Sequence, residues 1–177
     1  MTLRDDLAKR RRQLPAGRDL LGLLDALPGV PEEPPGDVAT SPRAKAERHI
    51  ELLRAVVPGS APRLESLLDG LPEDPGSDDV PVHGDFHASQ VLVRRGSITG
   101  LIDVDTLRWG ERAEDLGTMV AHLHALRISG RLGSDSEAYR RDLTAEFSRV
   151  VGAERLHAYA AAALVGYATG PFRVQEP

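Results

Sequence analysis

Five side chains near the middle of the chain have the types and spacing to do chemistry. Asp85 closes the turn His83-Gly84-Asp85, Gln90 follows five residues later, Asp103 comes eighteen residues after Asp85, and Asp105 stands just beyond it. An aspartate presented on a glycine turn can accept a proton from a substrate hydroxyl. The amide oxygen of Gln90 and the carboxylate of Asp103 are hard ligands of the kind Mg²⁺ takes. Asp105 is either a further ligand or an acceptor bracing the others. A base, a metal-binding amide and a metal-binding carboxylate on the loops of one hairpin are the usual layout for phosphoryl transfer. No glycine-rich nucleotide loop precedes the stretch.

The elements that must hold these residues are legible to a degree. Val91-Leu92-Val93 and Ile98 to Ile102 are short β-branched runs joined by Arg94-Arg95-Gly96-Ser97, with Gly96 supplying the positive φ of a tight hairpin. This is the one strand region that the pattern supports. Before it, Leu20, Leu23, Leu24 and Leu27 fall on one helix face, and prolines then make residues 28–41 a loop. Ser41-Pro42 restarts a helix as N-cap and first residue, with Ala46, Ile50, Leu53 and Val57 as its apolar stripe. Leu64, Leu67, Leu68 and Leu71 mark the next, and Pro72 to Asp79 reads as a polar linker. After Arg112 come Leu116, Met119, Val120 and Leu123. Tyr139, Leu143, Phe147 and Val150 follow, behind an N-cap at Ser134 or Asp135. A last helix carries Leu156, Ala160, Ala163 and Tyr167 and stops at Gly170-Pro171. The expected fold is α+β, mainly α: five or six helices around one central hairpin.

Composition narrows the function classes. The 177 residues suffice for one domain with a core, and 4% aromatic content means a core of Leu, Val and Ala. A formal charge of −5 makes a poor general nucleic-acid binder, and the one counter-signal, the run Lys9-Arg10-Arg11-Arg12, reads as a solvated helix face. The same acidic balance suits a cationic small-molecule partner. With no cysteine, disulfides and thiolate metal sites are excluded. No signal-peptide core or membrane-length apolar run is present, so the expectation is a soluble cytoplasmic protein without a membrane partner.

His83-Gly84-Asp85 with Gln90 and Asp103 resembles the catalytic segment of the aminoglycoside phosphotransferase family, whose fold is protein-kinase-like. That family has an HGD turn, an Asn five residues after its Asp, and a metal-binding Asp about eighteen after it. The resemblance implies that Asp85 orients or deprotonates the hydroxyl of a small-molecule acceptor. It implies that Asp103 binds Mg²⁺ bridging the phosphates of ATP, that Gln90 makes a second metal and cofactor contact, and that His83 pins the catalytic loop to the metal loop. Arg112 to Leu116 also looks like the family's stretch after the metal loop, and the TGPFRVQ segment from Thr169 like its tail. The likeness runs from Ser41 to about Gln175 and is specific from Val82 to Leu116. Two departures stand out. Gln90 replaces the family's Asn, lengthening the arm by one C–C bond, about 1.5 Å. The family's nucleotide lobe, a sheet with a phosphate-covering loop and a lysine, has no counterpart, since Lys9 and Lys45 sit in helical, solvent-like patterns. The implied organisation is an N-terminal helical segment and Pro-rich loop over 1–40, then a kinase-like C-terminal lobe over 41–177 with its catalytic segment at 82–116. On this reading the chain is a fragment or a shortened relative.

Other readings compete. Asp103-Val104-Asp105-Thr106 after an apolar strand is similar to an aspartyl-phosphate hydrolase motif, but no lysine follows Lys45. A non-catalytic kinase-like module that binds a ligand or partner fits the missing nucleotide lobe. Of the remaining polar residues, His87 reads as packed against the hairpin and Asp115 as an N-terminal helix cap. His122 and His124, two apart, do not share a face and make no metal pair. Trp109 lies in the loop after Asp103, either lining a pocket or anchoring the loop.

Overall fold

The computed structural model of the chain describes residues 1–9, 14–29, 41–74, 76, 80–132 and 136–170. Helix α1 (Leu3–Ala8) opens with a capping box: Thr2 Oγ1 accepts the Asp5 N–H at 3.3 Å and Asp5 Oδ2 accepts the Thr2 N–H at 3.0 Å. After α2 (Gly17–Asp25), α3 (Pro42–Val56) starts as the sequence predicts. Ser41 Oγ accepts the Ala44 N–H at 3.1 Å, and Pro42 sits where no amide hydrogen is needed. Ala46, Ile50 and Leu53 are buried. Val57, expected on that stripe, is 42% exposed because α3 ends at Val56 and a 3₁₀ turn follows. Helix α4 (Ala61–Asp69) packs back on α3.

The predicted hairpin is present as antiparallel β2 (Val91–Arg94) and β3 (Ser97–Leu101). Arg95 and Gly96 both take positive φ, 54° and 81°, as a two-residue primed turn requires. The single-hairpin expectation needs correction, because a second antiparallel pair joins β1 (Val80–Val82) to β4 (Arg108–Gly110). Each of its strands has three residues, too few to show alternation, and Pro81 argues against a strand by sequence. Trp109 lies in β4 opposite Pro81, not in a loop. This pair fastens together the two ends of the segment that carries the candidate site.

Three longer helices complete the chain: α5 (Arg112–Ile128), α6 (Ser136–Val151) and α7 (Ala153–Thr169). Val150, expected to be buried, is 54% exposed at the end of α6. The described residues thus form seven α-helices, one more than expected at most, the addition being the six-residue α1. The fold is mainly helical with two small antiparallel pairs. One apolar cluster gathers Leu3, Leu7, Leu20, Leu24, Phe86, Val91, Leu116, Met119, Phe147 and Leu156. A second gathers Ala46, Ile50, Leu53, Leu68, Leu71, Ala162 and Val165. Helix α7 belongs to both, through Leu156, Ala160 and Ala163 on one side and Ala158, Ala162 and Val165 on the other.

Residues 30–40 of the Pro-rich loop, Arg10 to Arg12, most of the linker after Asp74, the candidate caps Ser134 and Asp135, and Pro171 lie outside the described residues. Among the described residues no helix is long and apolar enough to cross a membrane.

Candidate functional site

Two loops meet between the strand pairs. The first runs from His83 to Gln90, between β1 and β2; the second runs from Ile102 to Leu107, between β3 and β4. The first is fixed from behind by Asp115 in α5. Both its oxygens are used: Oδ2 accepts the His83 N–H at 2.7 Å and Oδ1 accepts the Gly84 N–H at 2.9 Å. Asp115 is fully buried, and burial is what chiefly pushes its carboxyl up to about 6. The two N–H groups oppose that rise and neighbouring Glu114 adds to it. Asp115 is therefore not the cap of its own helix, as expected, but a buried acceptor for the loop. Its place was hinted at by the spacing Asp115, Met119, Leu123, which puts a carboxylate on an apolar stripe.

Gly84 has φ +81°, and a Cβ there would lie 2.7 Å from the Thr106 carbonyl oxygen, so the second loop can pack against the first only at a glycine. The His83 ring, also fully buried, links the loops. Its Nδ1 accepts the Asp85 N–H at 3.3 Å, which leaves Nε2–H to donate to the Ile102 carbonyl at 3.0 Å. Thr106 Oγ1 donates to the His83 carbonyl at 2.6 Å.

The sequence-predicted residues fall as follows. Asp85 is about half-exposed at the surface of the first loop, with Oδ2 3.5 Å from His87 Nε2. Burial raises its pKa, but the hydrogen bond from His87 and the charges of His87, His83 and Lys45 outweigh that and hold the carboxyl below its usual value. Gln90 is buried and donates Nε2–H to Asp103 Oδ2 at 2.7 Å. Asp103 is exposed and left-handed at φ 61°, a conformation uncommon outside glycine that aspartate and asparagine adopt more readily than most residues. Gln90, Asp103, His87 and Asp85 are thus in contact through a short chain of side chains. Asp105 is not among them: it is exposed in the 3₁₀ turn Val104–Thr106 and makes no hydrogen bond with the others.

A family model of the phosphotransferase enzyme family matches residues 4–167. The chain belongs to this family. The match reaches back to α1 and α2, which the resemblance seen from Ser41 onward had left out. No curated protein matches the chain.

In this chain the donor set for a cation is small. Among the described residues no three His, Cys, Asp or Glu side chains stand close enough to hold a metal. Gln90 turns its amide nitrogen to Oδ2 of Asp103, so a cation held by both residues would take the Gln90 carbonyl only with that amide turned over. One carboxylate with one amide fits Mg²⁺, which keeps most of its shell for water and substrate phosphates.

Beside Asp85 the chain has a cavity of about 410 Å³, walled by the first loop, α3, α5 and α7. Sequence reasoning missed most of its lining. Lys45 is not solvent-like: its Nζ is 2.9 Å from Glu114 Oε1, and the same carboxylate takes Arg108 Nη2 at 2.7 Å. His122 lies edge-on to His87 with ring centres 4.4 Å apart, and next to Tyr167 at 5.7 Å. Burial, then the charge of His87, pushes His122 down to about 3, so it is uncharged at neutral pH. Burial, then Asp85, holds the Tyr167 phenol above its ordinary value. Periodicity places Tyr167 on the stripe of its helix but does not bring these residues together, because they meet only when three helices pack.

Proposed function

We propose that this chain transfers the γ-phosphoryl group of ATP to a hydroxyl of a small molecule. One observation supports the reading above the rest: the His83 ring joins the loop that presents Asp85 to the residue before Asp103, so that the Gln90–Asp103 pair and Asp85 belong to one unit. Asp85 orients the acceptor hydroxyl and takes its proton late in transfer, since a carboxylate held below its usual pKa is a weak base. The Gln90 carbonyl and Asp103 would hold Mg²⁺, which when bound neutralises charge on the phosphate oxygens. His83 and Asp115 position the loop without touching substrate. Family membership supports phosphotransfer as the reaction type.

The test is ADP release and acceptor mass gain with ATP, Mg²⁺ and a panel of hydroxyl compounds. Asp85→Ala should lower turnover by about 10³-fold while leaving the circular dichroism spectrum unchanged. Asp103→Ala should lose Mg²⁺-dependent ATP binding by calorimetry. Wild-type rates in both variants would refute the assignment.

A second reading, a kinase-like module that binds without turnover, is favoured by the lysines. Lys45 is committed to Glu114, and Lys9 caps α1, so neither lies on a strand facing the site. A folded protein that binds ATP or an acceptor yet forms no product would select it.

A further inference from the structure

The cavity beside Asp85 carries polar atoms with nothing to bond. Thr118 Oγ1, on α5, and Tyr167 Oη, on α7, belong to residues that line it, and both atoms are buried without a hydrogen-bond partner among the described residues. His122 Nδ1, whose ring lies between those of His87 and Tyr167, is buried and unpartnered too. Two such atoms in the lining of one cavity, with a third beside Tyr167, are unusual, since buried polar groups are nearly always satisfied. All three are uncharged hydrogen-bonding groups. The volume, about 410 Å³, falls in the range of small-molecule sites, about 300–1,000 Å³.

The charge of the lining narrows the ligand. Asp85 is the one acidic side chain lining the cavity among the described residues, and it already faces His87. The one lysine of the lining, Lys45, is tied up in an ion pair with Glu114, which it shares with Arg108. A polycation would find no array of carboxylates here, and an anion no free ammonium. We infer that this cavity is the acceptor subsite and is built for an uncharged, hydroxyl-rich small molecule, a polyol or simple sugar, held by Thr118 and Tyr167 with one hydroxyl at Asp85. This rests on the phosphotransferase reading above and departs from the cationic partner suggested by overall charge. The small residues Ala162, Ala163 and Gly166 leave one wall without projecting side chains, which gives the ligand room.

The experiment pairs binding with turnover. Ribose, glucose and glycerol are compared with kanamycin and choline, first by ligand-observed NMR without nucleotide and then as acceptors with ATP and Mg²⁺. At least one neutral polyol should bind in preference to both cations. Thr118→Val and Tyr167→Phe should each raise KM for that polyol about 10-fold while moving kcat and the KM for ATP less than about 2-fold, with Thr118→Ser near wild type. Thermal melts confirm that the variants fold, and Thr118→Ser keeps the test valid if Thr118→Val does not. Preference for kanamycin or choline, no polyol binding, or indifference of the best ligand to loss of either hydroxyl would overturn the inference. Polyol binding that responds to these variants without any product would leave the subsite standing and defeat the phosphotransferase reading. Product formed only with a cationic acceptor would do the reverse.

Discussion

The two loops of the site are held in opposite ways. The first sinks Phe86 and Ala88 fully into the core and is gripped from below by a buried carboxylate. The second is exposed from Ile102 to Thr106, two of those residues being apolar, and none of them joins either apolar cluster. Its order comes from the first loop, through the His83 ring, the Thr106 hydroxyl and the Gln90 amide. Ile102 N–H also donates to the Gln90 carbonyl. The arrangement teaches a direction of dependence: the first loop is the template and the second is cast on it. Damage to the template should disturb both, whereas damage to the second should stay local.

The sharpest way to break this picture is at Asp115. Replacement by Ala strands two buried N–H groups and should cost about 2–4 kcal/mol in urea unfolding, with loss of both ATP binding and turnover. Loss of stability with normal turnover would mean that the loop does not need its anchor. Next is Gly84→Ala, where the positive φ and the Thr106 carbonyl both object. A cost of about 1–3 kcal/mol is expected, and Mg²⁺-dependent ATP binding should weaken as the second loop is pushed away.

A third test uses pH and two buried groups of α5. Asp115 is raised to about 6, so its contribution to stability is complete below the ordinary carboxylate value of 3.8 and is lost as pH climbs through 6. His122 is lowered to about 3, so its contribution is complete above 6.5 and is lost as pH falls towards 3. Between pH 4 and 6 the two slopes oppose. Asp115→Asn should make stability rise more steeply with pH over that window, and His122→Phe should make it fall, as read by melting temperature; parallel curves would contradict both. The smallest effect belongs to Thr106→Val, which removes one hydrogen bond of the second loop: about 0.5–1.5 kcal/mol, with Asp85-dependent chemistry affected less than ATP binding.

Much of the fold could be read from local chemistry. Ser41-Pro42 marks the start of α3, and Arg95-Gly96 marks the turn of β2 and β3, because caps and tight turns are decided by a few adjacent residues. The pairing of β1 with β4 could not, since three-residue strands far apart in sequence leave neither period nor turn. The spacing of His83, Asp85, Gln90 and Asp103 is visible in the chain, and Gln90 does meet Asp103. Asp105 shares the spacing yet points to no partner, because a 3₁₀ turn carries it into solvent. Asp115, Lys45 and His122 escaped because their surroundings are made by packed helices, and burial inverts what a charged or titratable residue ordinarily signals.

Helix α7 is gripped on both flanks, each by a separate apolar cluster, while its Ala162, Ala163 and Gly166 wall the cavity. A rod clamped twice does not tilt to fit what it receives. Changing what this cavity admits therefore falls to the bulk of single side chains along that rod: one added methyl group at Gly166, whose Cβ would sit 3.2 Å from His49 Nε2, already begins to close it.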